Sequence, residues 1–532
     1  MAAPLLFSTD AAHRIGSFDH GLGLIDVTLT DEAHALLREP ASAAAYRHEP
    51  LRFKRLLLEL TNYAHEHRHY LDTFGTLSGI GVYVARLGCI KRFIDVALEL
   101  HRDDIRWRLP LSAWAREQGC PRSVRSLARF VRSHRISADF FFGDYGRPVL
   151  PGHVDDAWLD VPVAGMPAAD MPAHGDSGFA VPAFPFSLAI ARQGASGAQE
   201  VRPLTVVYPL GYEALVEGAA HALARELVGA LFPDVPDDFL VQHRQAIAKK
   251  GEDEEEADYL RRIAATLPPY NVTDLLITKH LRRHGIARFP RRLVLRLTDI
   301  ALASGGLVLK DVDHATTQAE IFSPGRTFVD ELAAAPPAEL ARGDIAYPPM
   351  YHDAYATLLA ELRRHGRHAA PPPPDTVFGA VRVWEHFLAQ QITLPLLQER
   401  IDSGHASFDR QDAALEQVFD MDRPCVQVIN GRIEFRHVPP PVQTAWARQM
   451  MLGELTQQLF ADATTLLCPR ANRLLPGMET IDLANGHCKR NERRGCGSWA
   501  PGRDADVPDC MFRECLVAYG FIPIKPAIKP AV

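Results

Sequence analysis

Cysteine is scarce in this chain: eight residues among 532, far below the density of a disulfide scaffold. No apolar run approaches the roughly 18–20 residues of a membrane span. A basic excess is also missing. Lys and Arg number 58 against 65 Asp and Glu, a formal net charge of −7, which disfavours a generic binder of nucleic acid or anionic membrane. The opening ten residues lack a basic n-region, so a cleaved secretory signal is not expected. These absences lead to the expectation of a soluble cytoplasmic protein with no membrane or nucleic-acid partner.

What is present is a foldable composition. Hydrophobic residues make up 47% and charged residues 23%, which excludes a chain disordered throughout. The length allows about three or four domains of roughly 100–200 residues, or two with insertions. Apolar residues at three- and four-residue steps predict a helix over Glu49–Asp72, with Leu56, Leu57, Leu60, Tyr63, Ala64, Tyr70 and Leu71 on its buried side. Gly75, Gly79 and Gly81 should break it before a second helix at about Val82–His101. Residues 151–203 are rich in proline and little patterned, which reads as a long insertion with a few short strands. A buried strand at Leu204–Gly211 then leads into a helix from Tyr212. Val426–Phe435 reads as a hairpin turning on Asn430-Gly431. The Pro371–Pro374 tract is the clearest linker. The expected organisation is mainly α with minor β. It comprises a metal-binding domain over 1–370, a proline linker at 371–375 and a helical C-terminal domain over 376–532.

Histidine is abundant, with 23 in the chain, and three of them fall within five residues. The segment reads His65-Glu66-His67-Arg68-His69. His65 and His69, four apart, share one helix face and can grip a single metal ion. Glu66, next to the first ligand, can reach a water instead of the metal. This is the HExxH arrangement: two imidazoles, a general base and an open coordination position. The plainer alternative is a solvated polar face.

Zinc needs a third protein ligand. Asp72 stands seven residues from His65, roughly 10 Å of axial rise, too far to close a tetrahedral site. It reads either as a carboxylate holding the His69 imidazole or as a surface acid near Arg68. The better candidate is Glu217, in Tyr212–Glu226. There Glu213, Glu217, His221 and Arg225 form a stripe at four-residue steps, and Gly218 and Ala219 would let another helix approach closely. An i,i+4 charge ladder on a solvated face is the alternative.

His65-Glu66-His67-Arg68-His69 together with Glu217-Gly218-Ala219-Ala220 resembles the gluzincin group of zincin metallopeptidases. There a HExxH helix is completed by a glutamate on a later helix, often in a Glu-Gly-x-Ala setting. The resemblance covers at most residues 50–230. It implies a zincin-like helical core, one catalytic zinc, His65, His69 and Glu217 as its ligands, and Glu66 as catalytic base. The 151–203 insertion would account for the long separation between the two motifs. The implied reaction is zinc-assisted hydrolysis of a peptide or protein substrate, Glu66 taking the proton of the attacking water. An oxyanion donor is then needed. His221 is favoured, one turn beyond Glu217; Tyr208, Tyr212 and Arg225 are the other candidates.

Two competing readings remain. Glu66-x-x-His69, with Glu59 one heptad earlier, also fits a di-iron carboxylate helical protein. A catalytically inactive zincin-fold interaction protein would keep the same motifs. Weaker signals lie elsewhere. Cys488, Cys496, Cys510 and Cys515 crowd near the C-terminus and admit a structural zinc, reduced buried thiols or disulfides. The basic stretch 279–296 could bind phosphate or pair with the acidic run at 252–258.

Overall fold

The computed structural model describes residues 16–19, 23–105, 107–130, 159–162, 180–193, 199–236, 239–240, 268–304, 324–368, 377–404, 418–430 and 432–460. The C-terminal cysteines, the acidic run at 252–258 and the proline tract lie outside these residues. Helices dominate and strands are few, as expected for a mainly α chain with minor β. Among the described residues no single helix is long and apolar enough to cross a membrane.

The organising element is a helix over Pro50–Gly75. It follows α1 (Asp31–Leu36) and is called α2. Pro50 sits at its start, where the missing N–H costs nothing. From Leu56 to Gly75 nearly every side chain is buried. This is a central helix enclosed on all sides, not a surface helix with one apolar stripe. Its polar residues must therefore find partners inside the protein.

The break comes at Thr76 alone. Its Oγ1 donates to the Asp72 carbonyl at 2.6 Å and accepts from Gly79 N–H at 3.0 Å, closing α2 and capping α3 (Leu77–Arg102). The two helices meet at 82°. Gly79, expected to be a breaker, lies inside α3. A Cβ there would fall 2.1 Å from the Asp72 carbonyl oxygen, so the residue permits the close approach of the two helices.

Two small sheets are present among the described residues. One has the order β1 (Gly16–Asp19), β2 (Leu24–Val27), β6 (Cys425–Ile429), β7 (Arg432–Arg436). The other is an antiparallel sheet of β3 (Leu159–Pro162), β4 (Ala180–Gln193) and β5 (Gln199–Pro209), so the proline-rich insertion carries a longer hairpin than its sequence suggests. The 426–435 hairpin forms as expected, with Asn430 at φ +53°.

Helices α4 (Tyr212–Leu231), α5 (Pro268–Arg282) and α6 (Arg292–Ala303) assemble beside α2. Later come α7 (Pro324–Ala334), α8 (Pro349–His368), α9 (Val377–Phe387), α10 (Leu394–Asp402) and α11 (Pro440–Phe460). The boundary expected at 371–375 lies outside the described residues, and described residues on its two sides meet. β6 runs parallel beside β2, Leu24 opposite Val426 and Val27 opposite Ile429. The Tyr83 hydroxyl on α3 accepts from Trp384 on α9 and Gln449 on α11, both at 3.1 Å. Described residues between 377 and 460 thus pack against elements of the N-terminal half.

Candidate metal centre

His65 and His69 occupy successive turns of α2, their rings perpendicular and 4.8 Å apart between centroids. Their Nε2 atoms stand 3.2 Å apart. Glu217, 152 positions beyond His65, comes in from α4. Its Oε2 lies 3.0 Å from His65 Nε2 and its Oε1 3.4 Å from His69 Nε2. Zinc bonds of 2.0–2.1 Å in a tetrahedron place neighbouring ligand atoms about 3.3 Å apart. The measured distances, which reach the two different oxygens of Glu217, lie around that value, and with one ligand atom per residue all three fall within 4.8 Å of one another. Two imidazole nitrogens and a carboxylate are the donor set that suits zinc, and the residues present fit one such ion.

The sequence around Glu217 explains its approach. Gly218 faces α5, where a Cβ would lie 2.3 Å from Thr273 Oγ1. The close helix partner foreseen from Gly218 and Ala219 is thus α5, which braces α4 from behind while α4 packs along α2. The solvated-ladder alternative fails at His221, only 1% exposed.

Electrostatics in the metal-free chain tie the three residues together. Burial penalises the charged imidazole of His69, but Glu217, with smaller help from Glu66 and Asp72, reverses this and raises it to about 9. Burial works against the Glu217 carboxylate too. His69 and His65 overcome it, holding that carboxyl well below its usual range. Such shifts mark a centre that prefers positive charge at its middle.

Glu66 projects from the same helix toward β1 and is 5% exposed. Gly16 of that strand leaves room for it: a Cβ there would sit 2.9 Å from Glu66 Cγ and 3.1 Å from Oε1. Phe18, two residues on, has its ring centroid 6.2 Å from that of His69.

Both readings of Asp72 need correction. It is fully buried, so it is no surface acid. Its Oδ2 accepts from Arg68 Nε at 3.0 Å, and its Oδ1 lies 2.9 Å from Arg68 Nη2. Its main engagement is therefore with Arg68, one turn back. Near this pair, Asp299 of α6 takes Arg400 of α10 at 2.6 Å, and all four side chains are inaccessible to solvent. Burial raises the Asp72 carboxyl and Arg68 opposes that rise, while the charge of Asp299 adds to it.

Among the oxyanion candidates, Arg225 is bound to Asp274 at 2.9 Å. Tyr212 is fully buried, and the Tyr208 side chain lies outside the described residues. His221 sits beside Tyr270 at 6.0 Å between ring centroids, and Tyr270 in turn lies 5.6 Å from His65. Sequence reasoning missed Tyr270. The only local signal is Pro268-Pro269 before it, which marks a helix start but not its destination. Glu59, required by the di-iron reading, is committed elsewhere: its Oε2 accepts from Thr30 N–H and Oγ1–H, each at 2.8 Å.

No protein-family model, curated protein or solved structure matches the chain. The site must be read from its own geometry.

Proposed function

We propose that the protein is a zinc-dependent hydrolase with a zincin-like core, acting on peptide bonds. The observation that carries this reading is the convergence of His65 Nε2 and His69 Nε2, 3.2 Å apart, on the Glu217 carboxylate, whose Oε2 lies 3.0 Å from the first and whose Oε1 lies 3.4 Å from the second. When bound there, zinc supplies Lewis acidity that polarises a carbonyl and acidifies water. Glu66, on the adjacent helical position, receives the proton of the attacking water and passes it to the departing amine. His221, one turn beyond Glu217, is the donor to the oxyanion, with Tyr270, whose ring lies 5.6 Å from His65 and 6.0 Å from His221, as the second candidate. Burial of His65, His69 and Glu66 excludes bulk water and strengthens these interactions.

A peptide suits the surroundings of Glu66. β1 pairs with β2 on one side only among the described residues, so its other edge can add an extended strand. Gly16 brings the backbone of β1 itself against Glu66.

The test is purified protein assayed for zinc content and for cleavage of a mixed peptide library. One zinc per chain and hydrolysis are expected. Glu66→Gln should keep the zinc and lower kcat by ~10²–10⁴. A Glu66→Gln variant as active as the parent, or a parent that cleaves no peptide while binding zinc, contradicts the peptidase reading.

A further inference from the structure

One stripe of α2 carries Asn62, Glu66, His69 and Tyr70, neighbours on a single helix face, and β1 lies along it. Gly16 meets the first two of these residues. A Cβ built there would fall 2.3 Å from Asn62 Nδ2, 2.9 Å from Glu66 Cγ and 3.1 Å from Glu66 Oε1. Phe18 meets the other two, its ring centroid 6.2 Å from that of His69 and 6.5 Å from that of Tyr70. The strand is held in this place from its far side. It pairs with β2, and just after β2 the Glu59 carboxylate of α2 accepts from both the N–H and the hydroxyl of Thr30.

The amide nitrogen of Asn62 and the carboxylate of Glu66 therefore flank one point, that of the absent Gly16 Cβ. Their separation is no greater than the sum of their distances to it. Nδ2 is shut off from solvent and meets no hydrogen-bond partner among the described residues. A buried donor left unmade is costly, and such groups are rare enough in folded proteins to call for a reason. The acceptor that the structure places beside it is Glu66.

We infer that Asn62 is a positioning residue for Glu66: in the zinc-loaded protein its Nδ2 donates to Glu66 Oε1 and leaves Oε2 to face the attacking water. This rests on the hydrolase reading above. Glutamate is long and rich in rotamers, and a general base works only within hydrogen-bond reach of the proton it takes. β1 closes one side of the carboxylate with a residue that has no side chain, and the amide fixes the rotation that remains. A neutral donor suits this task better than a cation. Lysine or arginine at this position would stabilise the carboxylate charge and weaken the base. The reverse amide orientation would set two oxygens against each other, so Nδ2 is the end that faces Glu66.

The test compares the full zinc-loaded chain with Asn62→Leu, which keeps the volume and removes the amide. In the variant kcat for peptide cleavage should fall ~10–100-fold, as when the partner orienting a site residue is lost, with KM and zinc content unchanged. Its unfolding temperature should equal or exceed the parent's, because an unpaired buried donor has given way to an apolar group. A merely structural asparagine would instead lower that temperature and leave kcat alone. Crystals of the zinc-loaded parent should show Asn62 Nδ2 at about 2.7–3.2 Å from Glu66 Oε1. A parental kcat in Asn62→Leu, or an Nδ2 bonded elsewhere in those crystals, overturns the inference. A parent that cleaves no peptide overturns the hydrolase reading instead. The two failures are distinguishable because the crystal distance needs neither activity nor a variant.

Discussion

Two buried polar clusters flank the middle of α2, and they are built on opposite principles. Arg68, Asp72, Asp299 and Arg400 form two ion pairs with edges of 2.6–3.0 Å, each acid facing its own guanidinium. Within the quartet each charge has an opposite one beside it. His65, His69 and Glu217 instead turn three ligand atoms toward one another. A metal ion or a proton can occupy the space they share. The difference separates a structural charge cluster from a chemical site. Balanced charge fastens helices, while convergent donors lacking a positive centre mark a place for a ligand.

The largest expected effect falls on the quartet. Arg400→Met leaves Asp299 buried without its partner and should cost about 3–5 kcal/mol in chemical denaturation. The double variant Arg400→Met/Asp299→Leu should recover most of that loss, as buried pairs replaced by apolar residues often do. Zinc content should remain one per folded chain in both. Loss of zinc with retained folding would show that the clusters are not independent.

A smaller effect is expected where the triad depends on helix approach. Gly218→Ala drives a methyl into Thr273 and should destabilise the protein by about 1–3 kcal/mol through overpacking. Because α4 carries Glu217, zinc affinity measured by chelator competition should fall as well. An unchanged affinity would mean that α4 does not need α5 behind it to present its carboxylate.

The subtlest distinction lies in pH. The metal-free His69 is raised to about 9 from an ordinary value near 6.5, so the folded state binds the proton more tightly than the unfolded state. Its stabilisation is full below about pH 6.5 and is lost as pH rises to 9. Glu217, depressed in the fold, contributes stability above about pH 4.5 that is lost on acidification. Apoprotein stability should therefore decline between pH 6.5 and 9. Saturating zinc should remove this decline, since metal binding requires the neutral imidazole. A decline that persists unchanged with zinc bound would place its origin outside the triad.

How much was legible beforehand follows from the range of each interaction. His65, Glu66 and His69 lie within one helical turn, so spacing alone brings them together. Glu217 could be singled out by its small neighbours, Gly218 and Ala219, but the packing of α5 against them was invisible. Arg68 and Asp72 were recognisable as neighbours on a helix, while their complete burial was not, because α2 is enclosed by segments far away in sequence. Asp299, Arg400 and Tyr270 carry no local mark of their roles; only tertiary packing brings them to α2. The parallel pairing of β2 with β6 joins residues some four hundred positions apart. No periodicity reports such a partner.

The central claim is that His65, His69 and Glu217 form one zinc centre. Its most direct test is anomalous diffraction at the zinc edge on crystals of the zinc-loaded protein. The account predicts a single peak at bonding distance, about 2.0–2.2 Å, from His65 Nε2, His69 Nε2 and a Glu217 carboxylate oxygen, and no such peak in His69→Ala. A zinc peak elsewhere in the chain, or a Glu217 carboxylate turned away from the two imidazoles, would contradict it.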